Sequence, residues 1–109
     1  MIGNPPMLSS EARVSTGMPR RYLGQLCKHF QHKLPVTLEE THGRITFPAG
    51  VCELDALTIA GTLTMRIVAG DEAALTTLED VVGRHLKRFA FRDELEILWT
   101  RLAGQPHRA

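Results

Sequence analysis

Alternating hydrophobic and polar residues predict short strands along most of the chain. The alternation covers residues 11–16, 36–40, 44–47, 51–55, 62–69 and 94–99. Successive side chains of a strand point to opposite faces, so each segment fits a strand with one buried face. The tight connection Thr41-His42-Gly43 joins the second and third segments and predicts a hairpin. Residues 56–61 fit either a strand continuation or a loop.

Two longer segments carry apolar residues at spacings of three and four, which is typical of amphipathic helices. The first begins at Pro19, a residue suited to the first helical position, and ends before Pro35. Its apolar stripe consists of Leu23, Leu26, Cys27, Phe30 and Leu34. The second helix follows Asp71, a suitable N-cap residue, and reaches Phe89. Its first half is acidic and its last turns are basic, as the helix dipole favours.

The predicted order is strand, helix, four strands, helix, strand. Each helix has one apolar side, and an antiparallel sheet can offer one face to both. The sequence therefore predicts an α+β two-layer sandwich with two helices on one face of the sheet. A chain of 109 residues, 43% of them hydrophobic, can bury one core. We expect one domain over residues 11–101, a leader over 1–10 and a polar tail over 102–109.

Composition argues against several classes of partner. Thirteen basic and twelve acidic residues give a net charge of +1, too small for indiscriminate attraction to nucleic acid or anionic membranes. Apolar runs stay far below the roughly 20 residues that a membrane-spanning helix needs. Two cysteines and an N-terminus unlike a secretory signal favour the reducing cytoplasm. We predict a cytoplasmic protein that binds neither nucleic acid nor membrane.

Candidate chemistry concentrates in the heptapeptide CKHFQHK, residues 27–33. At 100° per residue, Cys27 points about 40° from Leu23, whereas His32 points about 180° from it. One metal ion about 2.0–2.3 Å from each ligand cannot bridge side chains on opposite sides of a helix. A C-x-H-x-x-H metal site is therefore excluded for a helical segment, and Cys27 is predicted to be a core residue.

His29 and His32 are the candidates for a shared ligand. They lie three residues apart on the predicted exposed side, among Arg21, Gln25 and Lys28. Histidines flanked by cations favour an anion over a metal ion. A residue of the hairpin, His42 or Glu39, could complete such a pocket. The alternative is a solvated basic face without a ligand.

His85 lies at the edge of the second apolar stripe. Its simplest role is that of a buried histidine bonded to a backbone carbonyl or a nearby acid; the alternative is catalysis. No phosphate loop, nucleophile elbow, paired zinc cysteines or HExxH motif occurs in the sequence. These absences argue against an enzyme, so no catalytic residue, metal ligand or cofactor is assigned.

Three stretches resemble a known family. They are RRYLGQLCKHFQHKLPV, THGRITFPAGVCEL and LEDVVGRHLKRFAFRDELEILW. In this order, over residues 12–99, they resemble the bacterial domain of unknown function numbered 2218. The resemblance implies a small prokaryotic α+β protein with no assigned activity, and a link to iron or siderophore uptake. It also implies that His29, His32 and His85 are special positions, because the family runs CKHFxHK and HLxRFAF fall on them.

Three hypotheses about function follow. The first is a non-enzymatic binding or accessory module that forms a homodimer and binds a small anionic ligand. Its binding residues would be Arg21, Lys28, His29, His32 and His85. The second is a metal-dependent or redox enzyme that uses His29, His32 and a hairpin residue, with Cys52 nearby. The third is a structural subunit of a larger complex.

Overall fold

Strands and helices follow one another in the predicted order. The computed structural model describes residues 7–102. The elements are β1 (Leu8–Ser15), α1 (Pro19–Phe30), β2 (Val36–Leu38), β3 (His42–Phe47), β4 (Gly50–Asp55), β5 (Thr62–Ala69), α2 (Glu72–Phe89) and β6 (Thr100–Leu102). The strands form one antiparallel sheet in the order β2-β3-β4-β5-β1-β6. The predicted α+β class is confirmed.

Both helices cover the same face of this sheet. One row of paired residues on that face runs from Ile45 through Cys52 and Ile67 to Ser10, and all four side chains are buried. α1 packs on β2, β3 and β5, while α2 packs on β1, β4 and β5. The core therefore lies between one helical layer and one sheet, and the other sheet face carries polar side chains.

α1 begins as the sequence predicts and ends earlier. Pro19 occupies the start of the helix, where its missing N–H leaves no bond unmade. The helix ends at Phe30, and the Gln31 N–H donates to the Cys27 carbonyl at 3.0 Å. The predicted last turn, up to Leu34, is a non-helical turn, although Leu34 still packs against the core.

A glycine on β3 allows α1 to approach the sheet closely. A Cβ atom built on Gly43 would lie 2.5 Å from the Cys27 Sγ and 3.6 Å from the Leu23 Cδ2. Cys27 itself is fully buried, which confirms its predicted place in the core. Because any larger residue at 43 would push against the thiol, this contact fixes the height and rotation of α1 over the sheet.

α2 is capped and packed as predicted. The Asp71 carboxylate accepts a hydrogen bond of 2.8 Å from the Ala74 N–H, which satisfies one of the free donors of the first turn. The buried side of the helix consists of Leu75, Leu78, Val82, Gly83 and Leu86. In the described part of the chain, no helix is long and apolar enough to cross a membrane.

The strand predicted at residues 94–99 is wrong. These residues pair with no strand, and β6 begins only at Thr100. Their alternation nevertheless marks burial, since Leu95, Ile97 and Trp99 are half-buried against the core. The Trp99 Nε1 lies 3.6 Å from the position of a Cβ on Gly83, so this end of the segment packs on α2. Alternation reports which side chains are covered and not which backbone groups are paired.

The sheet extends past both predicted domain boundaries. β1 starts at Leu8 rather than at residue 11, and β6 includes Arg101 and Leu102. The Arg101 guanidinium donates to both carboxylate oxygens of Glu79, at 2.9 and 3.2 Å, and also to Glu72. These bonds hold the short edge strand against α2. Residues 1–6 of the predicted leader and 103–109 of the predicted tail lie outside the described residues.

Residues 56–61 form a loop rather than a strand. The Asp55 carboxylate accepts hydrogen bonds from the N–H groups of Leu57, at 2.7 Å, and Thr58, at 3.1 Å. A carboxylate bonded in this way turns the chain and offers the backbone an alternative to strand pairing. Gly61 then adopts a positive φ of 64°, a backbone conformation that glycine adopts readily because it has no Cβ.

The close contact between α1 and β3 makes a prediction about stability. Gly43→Ala should lower the free energy of unfolding by about 1–3 kcal/mol, because its Cβ overlaps the Cys27 thiol. In the Cys27→Ala background the same change should be less harmful, with a coupling of roughly 1 kcal/mol in a double-mutant cycle. Urea denaturation measures all four proteins.

A control uses a glycine with free space around it. A Cβ on Gly17 has no atom within 4 Å, so Gly17→Ala and Cys27→Ala should give additive effects. Additive effects of Gly43→Ala and Cys27→Ala would contradict the contact.

Candidate functional site

His29 lies at the boundary between the two helices rather than on the open side of α1. Its ring centroid is 4.8 Å from that of His85 and 5.5 Å from that of Phe89, both on α2. Phe30 contacts the same imidazole at 5.0 Å. The residue is nevertheless exposed, as the sequence predicts. The structure therefore brings His29 together with His85, a pairing that the sequence analysis did not predict.

His85 is held by its own helix. Its Nδ1 lies 2.7 Å from the carbonyl oxygen of Val81, which can only accept a hydrogen bond. The proton is therefore on Nδ1, and Nε2 is available to another group. This bond confirms the simpler of the two roles predicted for His85, because the residue is partly buried and is bonded to a backbone carbonyl.

Positive charges from both helix ends surround His29. Burial lowers the pKa of His29 below its ordinary value of 6.5, and the charges of His85, Arg88, His32 and Lys33 lower it further. We call these five residues the helix-end cluster: His29, His32, Lys33, His85 and Arg88. His32 itself lies in the turn after α1, not on the helix. The surroundings of His29 therefore favour its neutral form.

A shallow depression of about 390 Å³ adjoins the cluster. It is lined by Arg84, His85, Lys87 and Arg88. Arg84 is bonded to Asp80 at 2.9 Å, one helical turn earlier. Within residues 7–102, no ion pair engages Lys33, Lys87 or Arg88. The surface beside His85 is therefore rich in positive charge that the described carboxylates do not neutralise.

Arg21 lies apart from this cluster, and nothing joins Lys28 to it. Arg21 precedes His29 by eight residues, or about 12 Å along the helix axis. Its charge acts on Tyr22, whose hydroxyl donates to Asp93. That hydrogen bond is the main reason why the pKa of Tyr22 is raised. Lys28 is exposed one residue before His29 and makes no described contact with the cluster. Of the five predicted binding residues, the structure gathers His29, His32 and His85.

The hairpin does not complete a site on α1, contrary to the sequence-based hypothesis. His42 is exposed on β3 and alternates with the buried Gly43 and Ile45, so it faces away from the helices. Its Nε2 lies 3.7 Å from an Asp55 oxygen on β4. His42 and Glu39 together line a depression on the opposite sheet face. The sheet itself separates them from His29.

Neither cysteine suits redox or nucleophilic chemistry. Both thiols are fully buried on the helix side of the sheet. Burial raises the pKa of Cys27 to about 11, and it raises the pKa of Cys52 as well. A protonated, inaccessible thiol is a poor nucleophile. Among the residues that the structure describes, no three His, Cys, Asp or Glu side chains form a group that could hold a metal ion.

Sequence reasoning placed His29 correctly on an exposed side of α1 but missed its contact with α2, and it missed Lys33 and Arg88. One signal for the contact with α2 was available in the sequence. His29 follows Tyr22 by seven residues, so the two side chains point in directions that differ by only about 20° around the helix axis. Tyr22 is buried, so His29 shares the direction of a covered residue. No pattern in the sequence reveals that the ends of α1 and α2 meet. That juxtaposition depends on how the helices cross.

Comparisons with known proteins place the chain in a family. The model of an uncharacterized protein conserved in bacteria, DUF2218, matches residues 11–100. The chain belongs to the DUF2218 family. This confirms the resemblance inferred from the three quoted stretches. No curated protein matches the sequence.

A solved relative supports the DUF2218 fold. The NMR structure of PA4090 from Pseudomonas aeruginosa is similar to this chain with a TM-score of 0.71 and 36% sequence identity. The similarity covers 85% of this chain and 95% of the relative. Neither description refers to iron or to a ligand, so the link to iron uptake stays a prediction.

The surroundings of His29 make a prediction about its titration. In NMR spectra of the ring protons, His29 should titrate below pH 6.5. Arg88→Gln removes one of the positive neighbours and should raise the pKa of His29. Arg44→Gln, an equal loss of charge on the other sheet face, should not change it. A His29 pKa above 6.5, or an equal response to both changes, would count against the described cluster.

The same lowered pKa predicts an effect of acid on stability. Between the folded and the unfolded pKa of His29, the unfolded chain binds more protons at this position. The part of the folding free energy that depends on a neutral His29 is therefore fully present above pH 6.5. It is lost as the pH falls from 6.5 through the lowered pKa that His29 has in the folded protein. The melting temperature of His29→Gln should fall less than that of the wild type over this range. If the melting temperatures of the two proteins fell equally with pH, His29 would contribute nothing to the acid sensitivity of the fold.

Proposed function

We propose that this DUF2218 protein is a non-enzymatic module that binds a small anion at the helix-end cluster. The observation that carries the proposal is the convergence of like charges on His29 from two separate elements. His32 and Lys33 follow α1, whereas His85 and Arg88 belong to α2. The helix dipole favours basic residues in a last turn, but their convergence on one imidazole from two elements concentrates positive charge that an anion would offset.

The donors of the cluster suit an oxyanion. The Nδ1–H of His85 donates to the Val81 carbonyl, so its Nε2 donates to an oxyanion only when the ring is protonated. Arg88 adds a planar guanidinium, which matches carboxylate and phosphate oxygens in a bidentate way. The adjoining depression of about 390 Å³ is shallow and is lined by Arg84, His85, Lys87 and Arg88, all on α2. A phosphate or carboxylate group on a small molecule is the ligand class that these groups favour.

Binding of an anion would be linked to protonation of His29. An anion beside the imidazole stabilises its charged form and so raises its pKa. Affinity should therefore increase as the pH falls through the lowered pKa of free His29.

The chemistry of the cluster supports binding better than catalysis. His29 and His32 have no third ligand from the hairpin, because His42 lies on the opposite side of the sheet. Both thiols are buried and have a raised pKa. The cluster itself offers hydrogen-bond donors and positive charge, which hold an anion in place.

The test uses inorganic phosphate and citrate as probes of the two oxyanion types. NMR titration should shift amide signals at the ends of α1 and α2, and binding should be tighter near pH 6 than near pH 8. Arg88→Gln should weaken binding by about tenfold or more, the usual effect of losing a charged hydrogen bond. The double change His29→Gln with His32→Gln should also abolish binding, with little change in melting temperature.

Arg20→Gln provides the matched control. Arg20 is exposed on α1 and pairs with Glu40 at 2.9 Å, away from the cluster. This variant should bind both probes like the wild type. Absence of binding by both probes, or shifts that centre on the open face of the sheet, would refute the proposal.

A further inference from the structure

The sheet face turned away from the helices carries one row of alternating charge. Across the strands, Arg44 is paired with Glu53, Glu53 with Arg66, and Arg66 with Glu11. Read from β3 to β1, the signs are plus, minus, plus and minus. The two central strands of this row are β4 and β5.

These side chains stand between two depressions. One has a volume of about 340 Å³ and the other about 370 Å³, and Arg44, Glu53 and Arg66 border both. The three residues therefore form a charged ridge on the open face. Glu53 and Arg44 have side chains more than half exposed and lie 3.4 Å apart. In the part of the chain that the structure describes, no ion pair engages Arg66.

We propose that a second copy of the chain covers this face in a symmetric dimer. A two-fold axis parallel to the strands, between β4 and β5, reverses the order of the row. Arg44 then faces the partner's Glu11, and Glu53 faces the partner's Arg66. Every charge of the row meets its opposite, so the row is complementary to itself. Because Glu11 is already paired with Arg13 at 2.8 Å, the contacts between Glu53 and the partner's Arg66 contribute most.

The neighbouring row agrees with this axis. Val51 on β4 is paired with Val68 on β5, and both are half-buried on the open face. The same rotation places Val51 against the partner's Val68, which brings apolar surfaces together beside the ion pairs. On the other side of the charged row, the same rotation sets Asp55 against the partner's Thr64 and His42 against the partner's Arg13.

The equal number of positive and negative residues in the row favours a second copy of the chain over a different partner. Two positive and two negative residues leave no net charge to attract a strongly acidic or basic molecule. A different protein would need the same alternation at the same strand spacing of about 4.8 Å, which a second copy supplies by symmetry.

The size of the face sets the strength of the contact. Four main strands of six to eight residues, about 4.8 Å apart, give a projected area of roughly 500 Å². This is below the roughly 800 Å² per partner of a standard interface, so the dimer should be weak. Because its ion pairs are on the surface, added salt should weaken it further. The helix-end cluster is on the other side of the molecule, so this proposal is independent of anion binding.

Two variants with reversed charges, studied separately and then mixed, test the dimer. In a homodimer of Glu53→Arg, each new arginine faces the partner's Arg66; in a homodimer of Arg66→Glu, each new glutamate faces the partner's Glu53. Either change should weaken dimerisation at least about a hundredfold. When the two variants are mixed, all four contacts become attractive again, and a heterodimer should form. Sedimentation velocity measures the association, and native mass spectrometry identifies the mixed species.

Further variants guard against loss of the fold. Arg66→Gln removes two contacts without creating repulsion and should weaken the dimer about tenfold. Glu94→Arg makes the same charge change as Glu53→Arg on an exposed residue away from the face and should leave dimerisation unchanged. A wild-type protein that stays monomeric at the highest soluble concentration would overturn the proposal. It would also be overturned if the single variants dimerised normally or if the mixture formed no heterodimer.

Discussion

The close approach of α1 to β3 is the contact on which the arrangement of this protein depends. The Cys27 thiol occupies the space where any residue other than glycine at position 43 would place its Cβ. With the thiol against the sheet, the rotation of α1 is set, and Leu23 and Leu26 are buried beside it. His29, two residues further on, is then directed at the boundary with α2. The chemistry of the helical side follows from this packing.

The two faces of the molecule carry their charges in different ways. On the helical side, cations gather at the ends of α1 and α2 around His29 and His85. On the open side of the sheet, equal numbers of opposite charges alternate from strand to strand. The net charge of the whole chain, +1, does not reveal this difference between the two faces. We propose an anion for the first surface on the ground of its charge and a second copy of the chain for the second surface on the ground of its symmetry.

Periodicity was sufficient to predict the class and most elements of the fold. Apolar residues at helical spacing located α1 and α2, and alternation located the strands from β1 to β5, because burial of one side dictates both patterns. The same reasoning failed at residues 94–99. Leu95, Ile97 and Trp99 alternate because they are covered, yet their backbone does not join the sheet. A pattern of side chains does not specify which backbone groups find a partner.

The candidate site was only partly predictable for a related reason. His29, His32 and His85 could be selected because imidazoles among cations are uncommon and chemically versatile. Their grouping could not be derived, since it depends on the crossing of two helices that are far apart in sequence. The same limit explains His42, which is near α1 in the chain but is separated from it by the sheet.

Solution NMR of the wild-type protein tests the central contact most directly. A NOESY spectrum should show cross-peaks between the Gly43 α-protons and the Cys27 β-protons. It should also show cross-peaks between the ring protons of His29 and His85, because the rotation of α1 determines both contacts. If neither pair of residues gives cross-peaks in a well-folded sample, α1 is rotated differently over the sheet, and neither the contact with Gly43 nor that with His85 exists.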